Sequence, residues 1–384
     1  MSSCIAIVSD VLGFEALKGL PKDAKIIILC KAVRMYAWGF VAVILVIYLQ
    51  QIGYSSSQVG AIFTLTLLGD TIISIILTSR ADKWGRKSTL IVGAALSVAT
   101  SLVFAQVSDF WALVVSATIG VISPSGNEIG PFQSVEVSGL AQVTNDEHRT
   151  RLLAWYQLFG CFTCAGGALS SGFIVHHFTV NMGYSLLTAC RWAMTMYGGV
   201  KLLLLYLSLL LSSAIEVPVD TATVKDANPV SLFLGLHKSK RIVLKLCMLF
   251  MLDAFSGAFV LQSIMCGWFF MQYGTSADKL GGMIFVCNLV AGVSALFAAK
   301  LADRIGLVMT MVVTHLPSNV LLLFVPLMPD EGSAIFILCL RFCISQMDVP
   351  TRMAYVQGVV DADERSAANG VTTVVRSLGE LTIC

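Results

Sequence analysis

The amino-acid sequence predicts an all-α, polytopic membrane protein built from two related halves. Three observations carry this. Hydrophobic residues make up 57% of the 384-residue chain and charged residues only 12%, more apolar surface than a soluble fold can keep from water. The apolar residues gather in runs of about 20 or more, the length that crosses a bilayer as a helix. A polar turn between two such runs, Ser79-Arg80-Ala81-Asp82-Lys83-Trp84-Gly85-Arg86-Lys87, returns in reduced form as Leu301-Ala302-Asp303-Arg304-Ile305-Gly306, 221 positions later.

Taken in order, the runs give ten complete spans: 32–52, 57–79, 89–107, 109–138, 152–175, 187–213, 243–271, 277–300, 306–328 and 334–358. An eleventh begins near Ser366 and is cut at Cys384. Residues 1–25 hold no apolar stretch with a small-residue cleavage site, so the first span is expected to act as the insertion signal. Residues 214–242, with Pro218, Asp220, Lys225, Asp226, Asn228 and Pro229, form the long polar connection. It separates a bundle at 32–213 from a second at 243–384. The net charge of +2 is uninformative, but its placement is not. Lys18, Lys22, Lys25 and Lys31, then Arg80, Lys83, Arg86 and Lys87, Arg149 and Arg151, Lys225, Lys238, Lys240 and Arg241, Arg304 and Arg365 fall on alternate connections, and Lys279 is the exception on the others. Short loops rich in Lys and Arg stay in the cytoplasm, which puts the N-terminus and both motif turns there. The eleven Cys lie mostly inside apolar runs and read as packing residues. Cys161 and Cys164 form a CxxC within an apolar span, a poor place for redox or metal chemistry.

The repeat extends beyond the motif. At an offset of 221, Gly53, Ser55 and Gly60 match Gly274, Ser276 and Gly281, while Ala81, Asp82 and Gly85 match Ala302, Asp303 and Gly306. Pro131 matches Pro350 at 219. Matched halves predict six spans each. The second half has four and part of a fifth, so the chain reads as truncated in its eleventh span.

Asp82, Lys83, Gly85, Arg86 and Lys87 fit the pattern Gly-x-x-x-Asp-basic-x-Gly-Arg-basic, with Thr78 in place of the leading Gly. With ten spans and an internal repeat, the chain resembles the major facilitator superfamily of secondary transporters. The resemblance covers about residues 30–384. It implies two pseudo-symmetric six-helix bundles, the second incomplete, that rock about a midplane site. In the second copy Asp303, Arg304 and Gly306 remain, but Leu307 and Val308 replace the basic pair. Marks of better-known branches are missing. The fifth span lacks the Gly-Pro pair and the fourth the Arg of drug antiporters, and no Pro-Glu-Ser follows span six. The run Ser345-Gln346-Met347-Asp348-Val349-Pro350-Thr351-Arg352 is similar to one in poorly characterised bacterial and fungal members.

An ionisable side chain inside a span costs at least about 2.5–3.5 kcal/mol on insertion scales, so each one is a candidate. Arg34 lies early in span one and has two readings, a headgroup snorkel or a cavity contact. Asp70, near the middle of span two, is either a coupling carboxylate or a helix-helix hydrogen bond. In span four Asn127 and Glu128 stand in Ser123-Pro124-Ser125-Gly126-Asn127-Glu128-Ile129-Gly130-Pro131, a run that breaks a helix. Glu128 is the leading coupling candidate, and capping the broken helix is its alternative. In span ten, Arg341, Asp348, Arg352 and Tyr355 are spaced 7, 4 and 3 apart, which predicts one polar stripe. Its readings are a cavity face or a structural network. Asp348 ahead of Pro350 parallels Glu128 ahead of Pro131, so the two carboxylates are expected to face one site from opposite halves. Asp253 in span seven joins the candidates. Asn288, His315 and Asn319 are weaker, and Lys201 reads as packing or snorkelling.

The resemblance gives the Asp82 turn a mechanical role. It acts as a gate latch against the N-terminal end of span eleven, around Ser366 to Gly370, through that helix's dipole; a solvated, topology-setting loop is the alternative. No Walker loop, HExxH or Gly-x-Ser-x-Gly is present, so ATP-driven pumping and hydrolysis lack support. No nucleic-acid signature is present either. The expected protein is a monomeric, non-enzymatic carrier of a small polar solute, coupled to protons, with no metal or cofactor. A non-transporting fragment or transporter-derived sensor is the rival reading.

Overall fold

The computed structural model describes residues 19–120, 132–133, 135–136, 139–140, 146–216, 239–258, 261–359 and, apart from 373 and 377, 371–379. Among them all regular structure is helical. In chain order the helices are α1 (Lys22–Ile52), α2 (Ser56–Trp84), α3 (Arg86–Gln106), α4 (Phe110–Gly120), α5 (Asp146–His176) and α6 (Leu186–Leu209). The second half follows with α7 (Lys240–Ala258), α8 (Gln262–Tyr273), α9 (Ala277–Ile305), α10 (Leu307–Phe324), α11 (Glu331–Ser345) and α12 (Asp348–Val359). Among the described residues six segments are long and apolar enough to cross a bilayer.

The repeated residues are helix punctuation. Gly53 and Gly274 end α1 and α8 in the left-handed conformation. Ser55 and Ser276 stand at the N-caps of α2 and α9, and Ser55 forms a capping box with Gln58. Gly85 and Gly306, at φ 93° and 82°, turn the chain from α2 into α3 and from α9 into α10. Only glycine adopts that backbone without strain. Thr89 and Thr310, also 221 apart, each donate a hydroxyl to the carbonyl of that glycine.

Three expectations about the helices change. The first helix starts at Lys22 rather than at 32. The early charges have partners there. Asp23 accepts from the backbone N–H and hydroxyl of Ser212, and Lys31 lies over the Tyr156 ring. The span 243–271 is two helices, α7 and α8, with Gly257 weakening the last turn of the first. The span 334–358 is also two helices, interrupted at Gln346–Met347. Pro350 has no N–H to offer the Gln346 carbonyl, so a continuous helix fails there, whereas the first turn of a new one accepts it. Arg341 and the residues Asp348, Arg352 and Tyr355 therefore belong to different helices rather than to one stripe.

Apolar packing divides by depth. Toward the Gly53 and Gly274 turns, one buried cluster runs through both halves, including Val46, Ala168, Phe269 and Leu280. Toward the Gly85 turn, one cluster (Ile27, Leu90, Leu152, Leu204) belongs to the first half and another (Val243, Leu246, Val356) to the second. The halves meet where glycine lets backbones touch. A Cβ on Gly172 of α5 would stand 2.4 Å from the Ala277 carbonyl oxygen, and one on Gly281 of α9 would stand 2.6 Å from that of Ala168. His176 Nδ1 and Asp278 Oδ1 stand 3.2 Å apart across this contact. Within the first half, Gly39 and Gly167 bring α1 against α5 in the same way, each meeting a backbone carbonyl of the other helix.

Candidate functional site

Two ionic clusters lie on the Gly85 side of the shared core, one in each half, the first buried and the second partly exposed. In the first, α1 carries Arg34 to 2.5 Å from Oε2 of Glu136. The Tyr156 hydroxyl of α5 donates to the same oxygen, and Arg34 also reaches that hydroxyl at 3.3 Å. The Arg34 and Glu136 side chains are only 8% and 1% exposed. Arg34 is thus neutralised inside the half, not stretched toward a headgroup. A charge removed from water needs such a partner, since its removal leaves the other charge stranded.

The second cluster is larger. Asp253 of α7 accepts from Arg352 of α12 at 3.0 Å and from Arg376 at 3.1 Å, both on Oδ2. His315 of α10 lies 2.9 Å from Asp253 Oδ1 and 3.6 Å from Asp348 Oδ2. Asp348 closes the set with Arg352 at 3.2 Å, one turn along α12. With His315 neutral, two carboxylates balance two guanidinium groups. The His315 and Asp253 side chains are 37% and 23% exposed, far more open than Glu136.

The two clusters are related by the repeat with their signs reversed. Arg34 corresponds to Asp253 at an offset of 219 and Tyr156 to Arg376 at 220. Glu136 and Arg352 are 216 apart, about one turn out of register with the other two pairs. A cation in the first half thus stands where the second half has an anion.

Of the candidates named from sequence, Asp253, Asp348 and Arg352 come together, and His315 joins them. Arg341 stands apart on α11, its guanidinium over the Phe342 ring at 5.3 Å. Tyr355 packs against the apolar cluster around Val243 and Leu246. Asn127 and Glu128 lie outside the described residues, so the expected pairing of Glu128 with Asp348 does too. Asp70 is on α2, beside Gly69, where a Cβ would collide with the Thr118 side chain of α4. Lys201 is buried with its ammonium over the Tyr197 ring at 5.2 Å.

Sequence reasoning missed Glu136, Tyr156 and Arg376. The rule that singled out Glu128 applies equally to Glu136 and Arg376; the conspicuous Pro and Gly run drew attention away from Glu136. The motif turn also has a partner that the sequence did not suggest. The Glu216 carboxylate, just beyond α6, accepts the backbone N–H groups of Arg86 at 2.7 Å and Lys87 at 3.1 Å. Arg86 returns a guanidinium hydrogen bond to the Ile215 carbonyl at 3.1 Å. An anion at the positive end of a helix is stabilised there. Arg304 is exposed at the second copy. Asp82, Lys83 and Asp303 sit on the closing turns of α2 and α9. The expected latch partner at 366–370 lies outside the described residues.

A duplicated helical membrane protein with ion pairs in each half defines the class of a polytopic transporter. Residues 27–382 match the Major Facilitator Superfamily, and the chain belongs to that family of transporters, which are not enzymes. An uncharacterized membrane protein of Saccharomyces cerevisiae is 26% identical over 94% of this chain and 86% of its own length. Among solved structures, a D-xylose–proton symporter matches with a TM-score of 0.72 at 13% identity, over 94% of this chain and 89% of its own. The nucleoside transporter NupG gives 0.68 at 13% identity over the same shares. The xylose transporter XylE of E. coli, in a partially occluded inward-open conformation, gives 0.67 at 12% identity, over 94% and 91%. These structural likenesses establish the fold.

Proposed function

We propose that this chain is a proton-coupled secondary transporter that moves a small polar solute by alternating access. The observation that carries the coupling is the cluster of Asp253, His315, Asp348, Arg352 and Arg376. It joins four helical segments of the second half and is open enough to exchange protons. A proton bound there upsets a balanced set of charges, and the helices that hold those charges must readjust. The first-half cluster, with Glu136 sealed, serves as fixed structure. The printed name of the xylose–proton symporter, similar in fold, accords with proton coupling.

In this reading the bundles comprise 32–213 and 243–384, joined by a linker at 214–242. The α7–α8 and α11–α12 pairs each make one crossing. The basic turns put the Gly85 end and the N-terminus in the cytoplasm. The Gly172–Gly281 contact then closes the outer end, which leaves the site to open inward. Asp70 and Glu128 remain coupling candidates in the first half, and the working unit is a monomer.

The test is uptake into vesicles bearing the purified chain, with and without an imposed pH gradient. Asp253→Asn, Asp348→Asn and His315→Gln should abolish gradient-driven accumulation while leaving solute exchange. Accumulation at the parent level in all three would remove this cluster from the coupling path.

A further inference from the structure

Arg341 is a membrane-depth cation that forms no ion pair among the described residues; Asp348 is the carboxylate whose charge reaches it, and that charge is already engaged with Arg352. Its Nε is buried and makes no hydrogen bond. The neighbouring cations Arg352 and Arg376 are neutralised by Asp253 and Asp348, and Arg34 by Glu136. An unbalanced charge at this depth costs several kcal/mol on most scales unless a counter-ion arrives.

Other orphan donors lie at the same level. Gln262 is the first residue of α8, the helix that begins inside the span rather than at its edge. Its side chain accepts from Asn288 Nδ2 at 3.5 Å, yet its own Nε2 is buried with no partner, as is the Ser263 hydroxyl. The two residues are 7% and 1% exposed. No side chain caps α8, whose N-cap is Leu261. Gln262 lies eleven residues before the end of α8, Asn288 eleven after the start of α9, and Arg341 ten after the start of α11. At 1.5 Å per residue all three sit about 15–17 Å from the same end, half of a ~30 Å hydrocarbon core. Cys287 and Cys339, at 3.8 Å, bind α9 to α11 in that layer.

We propose that the N-terminal end of α8, with Arg341, Ser263 and Gln262, the last held in place by Asn288, seats the carboxylate group of the transported solute. The side-chain groups without partners are donors: the Arg341 Nε–H, the Gln262 amide NH₂ and the Ser263 hydroxyl. A carboxylate supplies acceptors to every one and the missing negative charge. A helix that starts at membrane depth points its positive end at such a group. The proposal rests on the transport reading and names its solute class, a small organic acid.

The experiment measures thermal stabilisation of the purified full chain by succinate, lactate and benzoate against succinamide, lactamide and benzamide. At least one acid should raise the melting temperature where its amide does not. Arg341→Gln should weaken that acid by about ten-fold or more, Arg341→Lys by less, since a lost charge-assisted hydrogen bond is worth about that factor. Gln262→Leu, which keeps the charge, should weaken it to a smaller degree and guards against Arg341→Gln simply failing to fold. Stabilisation by amides as strong as by acids, binding by Arg341→Gln equal to the parent, or no effect of any acid overturns the proposal. Vesicle uptake separates the two ideas. An acid that binds at Arg341 without being carried leaves the site and removes transport. Carriage of a neutral solute indifferent to Arg341 does the reverse.

Discussion

Glu136 shows what one residue decides. With 1% of its side chain exposed it neutralises Arg34 and takes the Tyr156 hydroxyl. Glu136→Leu strands Arg34 and should cost about 3–5 kcal/mol, read as a lower melting temperature in detergent. The double variant Arg34→Met with Glu136→Leu should recover most of that loss, because apolar replacement of a whole buried pair is often neutral. Glu216 works differently, by capping α3. Glu216→Ala should cost about 0.5–2 kcal/mol and speed hydrogen exchange at the Arg86 and Lys87 amides first. Arg34 was legible in the sequence as an intramembrane charge. Its partner was not, because the pairing joins residues 102 positions apart through the way α1 packs in the bundle. Glu216, 130 positions from Arg86, was hidden for the same reason.

At the scale of elements, helix ends were far more legible than helix interiors. Gly53, Ser55, Gly85 and their copies at 221 are local devices, each acting on its own backbone, so identity between halves is enough to find them. The interruption at Gln346–Met347 lies one turn ahead of Pro350, which has no N–H for the Gln346 carbonyl, and the regular spacing of polar residues over 334–358 does not register it. Close packing between elements depends on both partners. Gly39→Leu, within the first half, should lower stability outright, since a Cβ there lies 2.1 Å from the Cys164 carbonyl oxygen. Gly172→Leu acts between the halves. It should preserve each half's packing while shifting the population away from the closed Gly53 end, measured as increased labelling of a cysteine placed at Ala277.

At the scale of the molecule, the halves share one apolar core at one end and have separate cores at the other. His176 and Asp278 report that junction at 3.2 Å. The pair His176→Cys with Asp278→Cys should cross-link under mild oxidant and stop solute flux, and reductant should restore it. Flux that continued through the cross-linked protein would show that this end need not part during transport. The sign-reversed clusters also belong to this scale. A repeat of positions predicted two similar halves, but the charges at those positions are reversed, and one cluster is sealed while the other is partly exposed.

The sequence by itself determined the class of this protein: helical, membrane-embedded, duplicated and a member of a transporter family. Hydrophobic runs, basic turns and glycine punctuation are local or statistical properties, and they survive being read in one dimension. Only the tertiary structure decided which charges neutralise one another, that span ten is broken ahead of Asp348, and that Arg341 forms no ion pair among the described residues. The reason is physical. In a low-dielectric interior a charge is defined by what lies within about 4 Å of it, and those neighbours come from helices that are remote in the chain.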